Sequence, residues 1–184
     1  MLMRRPGTKL PSPLAGEGSG ERGYHAAIQL LLACLLPAAV AAPPHIPGVV
    51  HLDITVQGAE IQADLTGPAI TLLGFEQAPR TADERATLQL ARENLQAGDA
   101  MLRFDTRADC RLVDTRLETA LPAADIRAHY RFHCGRPAEL GSAALGLFAG
   151  FPAVVRVFVR YRIPAGRGSA ELTPAEPVAN LVPL

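Results

Sequence analysis

Histidine, aspartate and cysteine are the side chains of this 184-residue chain whose spacing suggests chemistry. Four of the five histidines fall in two places, His45 with His51 and His129 with His133. Neutral imidazole with carboxylate oxygen is a donor set for a divalent metal such as zinc. Asp53 follows His51 by two positions, so on an extended strand both project from one face. His129 and His133 also share a face, but positions i and i+4 lie about 13 Å apart on a strand rising about 3.3 Å per residue. They cannot hold one ion together without a bulge, and Arg127 and Arg131 on their face oppose a cation. The candidate metal set is therefore His45, His51, Asp53, His129 and His133, with weakly held Zn²⁺ as the cofactor in question. The competing reading is a set of solvated or hydrogen-bonded histidines on a sheet face.

The cysteines point to a cross-link. Cys110 to Thr119 and Asp125 to Cys134 are ten-residue, strand-like segments joined by the short stretch Ala120 to Ala124. Folded back about Pro122, they place residues whose numbers sum to 244 opposite one another, and Cys110 then faces Cys134. A disulfide between them closes a long loop, which in the chain-entropy model contributes about 3–4 kcal/mol.

Other chemistries lack a signature. There is no GxSxG elbow, no glycine-rich phosphate loop after a strand and no HExxH, and both of these cysteines are committed to each other. The expectation is that the protein is not an enzyme. Eighteen basic against eighteen acidic side chains give zero formal net charge, which excludes a generally basic nucleic-acid binder.

The elements that must position these residues follow from periodicity. His51 to Gln57 alternates strictly, with Leu52, Ile54 and Val56 on one face, and Gly58-Ala59 turns it into a second strand from Glu60 to Leu65. Pro79 to Ala97 predicts a helix, because Thr81 and Glu84 have capping-box spacing, Leu88, Ala91 and Leu95 share a face, and Gly98 reads as the stop. A short strand, Met101 to Phe104, precedes the disulfide hairpin. A second helix is expected over Pro137 to Phe148. Val154 to Ile163 alternates again and should pair with Ser169 to Leu172. The fold class is α+β: an antiparallel or mixed β-sheet with one or two helices packed on a face and one disulfide-linked hairpin.

The N-terminal part reads differently. Residues 1–25 are rich in glycine and proline and are expected to be a disordered extension, with translation starting downstream. Residues 26–41 have the form of a signal-peptide apolar core, with Ala39-Val40-Ala41 as the cleavage site. A membrane anchor and a lipoprotein on Cys34 compete with that reading. Cleavage leaves residues 42–184 as a single periplasmic α+β domain with 14 arginines against 16 acids and no membrane span.

Several segments, in one order, carry a resemblance: His45-Ile46-Pro47-Gly48-Val49-Val50-His51, Leu72-Leu73-Gly74-Phe75-Glu76-Gln77-Ala78-Pro79, Tyr130-Arg131-Phe132-His133-Cys134, Leu147-Phe148-Ala149-Gly150-Phe151-Pro152 and Gly168-Ser169-Ala170-Glu171-Leu172-Thr173. Together they resemble a family of exported proteins that includes the zinc-regulated periplasmic, ZrgA-like proteins implicated in zinc uptake. The resemblance implies a periplasmic zinc-binding accessory protein acting with an inner-membrane or envelope transport complex. The chain departs from those relatives at three places. Pro47 replaces the second histidine of a His-x-His-Gly opening, Gln77 stands where relatives often place histidine, and Ala120 to Ala124 stand where a His- and acid-rich insertion would project. Each change removes imidazole and lowers the expected zinc capacity. A metal-independent module docking on an envelope complex is the alternative, with Arg156, Arg160 and Arg162 as contacts for an acidic partner.

Overall fold

The computed structural model describes residues 46–122 and 124–182. The expected extension, the expected signal peptide and His45 lie outside the described residues. Strand β1 (Val49–Gln57) and strand β2 (Glu60–Pro68) form the first hairpin. Its two-residue turn needs a positive φ, which Gly58 supplies at 59° without the steric cost a side chain would bring. A single helical turn, α1 (Ala69–Leu73), leads to α2 (Ala82–Gln96). Thr81 caps α2: its hydroxyl accepts from Glu84 N, while the Glu84 carboxylate accepts from Thr81 N. Leu88, Ala91 and Leu95 are its buried face.

After α2 the structure departs from the periodicity reading. Gly98 does not terminate the helix by a left-handed turn; it begins another helical turn, α3 (Gly98–Met101). What requires glycine there is proximity. A Cβ would meet ring carbons of Tyr130 at 2.5 and 2.8 Å, and the Tyr130 hydroxyl donates to Leu95 O at 3.0 Å beside it. Burial raises the Tyr130 pKa well above its ordinary value. Strand β3 (Leu102–Phe104) follows, then the hairpin of β4 (Cys110–Glu118) and β5 (Asp125–Cys134).

The helix expected over Pro137 to Phe148 does not form. One 3-10 turn at Pro137–Glu139 gives way to strand β6 (Ser142–Leu145) and the single turn α4 (Leu147–Gly150). Tertiary pairing overrides local alanine propensity here. Ser142 to Leu145 lies between β3 and the C-terminal strand β9 (Val178–Asn180), burying Ala143 and Leu145.

Strands β7 (Arg156–Ile163) and β8 (Gly166–Leu172) complete the main sheet, whose order is β4-β5-β2-β1-β7-β8. Every neighbour is antiparallel except β1 and β7, which run parallel, so the sheet is mixed. One face carries Leu52, Ile54, Ile61, Ile126, Phe132, Val157 and Val159 into a core shared with α2 and the β3-β6-β9 sheet. The other face is polar and open to solvent along the central strands. The architecture is α+β, with Cys110 and Cys134 disulfide-bonded at its edge.

Candidate functional site

The open face is built by register. Arg116 on β4 pairs with His129 on β5, His129 with Asp64 on β2, Asp64 with Asp53 on β1, Asp53 with Arg160 on β7, and Arg160 with Ser169 on β8. One row of chemistry-bearing side chains thus crosses all six strands, although its members are spread over more than a hundred positions of sequence.

The hairpin register places β4 in that row. Pairs summing to 244 hold at Cys110–Cys134, Arg111–His133 and Leu112–Phe132, as spacing predicts. A bulge at Val113 then shifts the register, so that Asp114 pairs with Arg131, Arg116 with His129 and Glu118 with Arg127. One extra residue flips the strand's faces. Without it, Arg116 and Glu118 would turn toward the core; with it, they stand among the polar residues of β5. The spacing of Leu112 and Leu117 is the signal sequence reasoning missed, because five residues cannot keep two apolar side chains on one face of a regular strand.

Among the described histidines, His129 has the richest surroundings. Its Nδ1 lies 2.8 Å from Asp64 Oδ1 and its Nε2 lies 3.5 Å from Glu118 Oε1. An ionised carboxylate only accepts, so Nδ1 donates to Asp64 and the neutral ring turns its Nε2 lone pair toward Glu118. Two acceptors then face each other, an arrangement that a bound cation relieves. The other Glu118 oxygen, Oε2, is 3.6 Å from Arg127. His133 makes a simpler pair, with Nδ1 2.7 Å from Glu60 Oε1.

His51 and Asp53 share the face, but each has a separate partner. The His51 ring stacks on Phe158 with centroids 5.8 Å apart. Asp53 takes two bonds of 2.7 Å from Arg160. Those bonds first, and the carboxylate's charge second, hold the Arg160 guanidinium above its usual pKa. His129 and His133 engage different carboxylates rather than a common point. Among the described residues no group of three or more His, Cys, Asp or Glu side chains could hold a metal ion. Nor, among them, is any helix long and apolar enough to cross a membrane.

Compared with known proteins, residues 44–181 match the family described as ZrgA family zinc uptake protein. No curated protein matches the chain.

Proposed function

The chain belongs to the ZrgA family of zinc uptake proteins, and on that premise we propose that it is a periplasmic accessory protein that captures Zn²⁺ reversibly as cargo. The supporting observation is the His129–Glu118 pair. Tetrahedral zinc, bonded to nitrogen at about 2.0–2.1 Å and carboxylate oxygen at about 2.0–2.2 Å, sets those two atoms about 3.3–3.5 Å apart. The Nε2–Oε1 separation of 3.5 Å falls at that bite. Asp64 behind Nδ1 plays the part of the outer carboxylate that orients a metal-ligating imidazole and raises its basicity. Two protein ligands leave the remaining positions to water, or to a receiving protein. Such a site holds zinc weakly and releases it readily, which suits transfer to an inner-membrane or envelope transport complex. On this reading the protein binds and hands over; it is not an enzyme. His133 is hydrogen-bonded to Glu60 at 2.7 Å, too close for zinc to sit between the two atoms, so it stands outside this site, and His51 packs on Phe158 rather than ligating.

Isothermal titration of the purified protein with Zn²⁺ tests the reading. The expected result is saturable binding tighter than about 100 µM, lost in His129→Ala and Glu118→Gln, retained in His51→Ala, and weakened about tenfold or more in Asp64→Asn. Equal affinity in His129→Ala and wild type would reject the site, and loss confined to His45→Ala or His51→Ala would move it to the N-terminal histidines.

A further inference from the structure

The exposed arginines of β7 differ in what faces them. Arg156 pairs with Glu171 at 2.9 Å, and Arg160 with Asp53. Arg162 has Thr55 opposite it on β1 and Arg167 opposite it on β8. Directly opposed like charges on neighbouring strands are destabilising, and no described ion pair joins either guanidinium to a carboxylate of this chain. Along this strand, two arginine positions are matched by a carboxylate from a neighbouring element, and the third is matched by a second arginine. Around that third position lies a depression of about 730 Å³, with Thr55 and Ser169 adding hydroxyls. Asp53 and Asp64 also border it, but the first is bound to Arg160 and the second to His129.

The same row continues to Arg131. From Arg162 it runs through Thr55 and Gln62 to Arg131 on β5, whose register partner Asp114 turns instead to Arg116 at 3.2 Å. Three strand spacings separate Arg162 from Arg131, about 14 Å. In an extended peptide, carboxylates four residues apart span about 13 Å.

We propose that Arg162, Arg167 and Arg131 form a docking place for an acidic, extended segment of a partner protein, with one carboxylate at Arg162, beside Arg167, and another at Arg131. Charge complementarity identifies the occupant. The two guanidinium positions already matched on β7 take side-chain carboxylates, and the distance between Arg162 and Arg131 suits a peptide rather than a single small ion. Paired guanidiniums also bind a carboxylate through parallel N–H donors, which gives direction as well as charge. The proposal does not require zinc capture: Arg131 borders the same depression as His129 and Glu118, but none of the three arginines forms a described ion pair with Glu118.

Fluorescence anisotropy of the purified protein tests it, using a labelled glycine–serine peptide carrying aspartates four positions apart, in chelator. The expected result is saturable binding that weakens with added salt. Affinity should fall about tenfold or more in the Arg162→Gln/Arg167→Gln double variant and stay unchanged in Arg103→Gln, an exposed arginine of the smaller sheet. Arg167→Glu gives a second readout: it replaces the like-charge pair with an opposite one, so it should raise the melting temperature while abolishing peptide binding. Undiminished binding by the double variant would overturn the proposal. So would binding that appears only with Zn²⁺ present, or displacement of the peptide by equimolar inorganic phosphate, which would make the occupant a small anion.

Discussion

The Glu84 carboxylate accepts two backbone bonds, from Thr81 N at 3.0 Å and from Arg80 N at 2.6 Å, and these, Thr81 first, hold its pKa below the ordinary 4.5. A carboxyl whose folded pKa is depressed favours the native state while ionised. Its contribution is complete above pH 4.5 and drains away as the pH falls through the lowered folded value. Asp105 acts in the same direction, through its side-chain bonds from Arg107. Acid titration of stability should therefore show a fall beginning near pH 4.5, and Glu84→Gln should flatten part of that slope. Thr81→Ala should cost about 1 kcal/mol, read from the urea midpoint at neutral pH. This cap was legible in sequence because all of its partners lie within four residues. The partners of His129 were not, since Asp64 is 65 positions away.

At the scale of elements, the disulfide hairpin combines a readable and an unreadable part. Cysteine spacing specified the pairing, and the linked residues are 24 apart. Loss of the cross-link in Cys110→Ser or Cys134→Ser should reduce unfolding free energy by about 3–4 kcal/mol in the chain-entropy model, measured by denaturant melts under oxidising conditions. The two variants should differ in thiol chemistry. Cys134 is 1% exposed and Cys110 is only partly buried, so the thiol left by Cys134→Ser should label faster in the native state than the one left by Cys110→Ser. Equal labelling rates would contradict the burial of Cys134. The bulge at Val113, by contrast, announced itself only through the odd spacing of Leu112 and Leu117, a cue that competes with ordinary β-pattern noise. The replaced helix at Pro137 to Phe148 shows the same limit: Ser142 to Leu145 is a strand because β3 and β9 flank it, and β9 lies more than thirty residues onward.

For the molecule as a whole, the division of labour is between a closed core and an open face. The C-terminal segment helps to close the core: Ala179 and Leu181 are buried, Leu181 N donates to Gly141 O, and the Tyr161 hydroxyl donates to Val182 O at 2.6 Å. Leu181→Ala should therefore destabilise by about 2–4 kcal/mol in a reversible thermal or urea transition. The open face is free of that constraint and carries the histidine–carboxylate pairs and the arginine row. Periodicity and spacing by themselves determined the alternating strands, the capped helix, the cysteine pair and the α+β class, because those features rest on interactions between residues close in sequence or on a fixed two-residue repeat. Only the tertiary structure decided that Glu118 rather than Asp53 stands beside an imidazole, that Asp53 belongs to Arg160, and that Arg162 meets Arg167. Those contacts depend on strand order and on a one-residue shift in register, and both are set by how the whole sheet buries its apolar face.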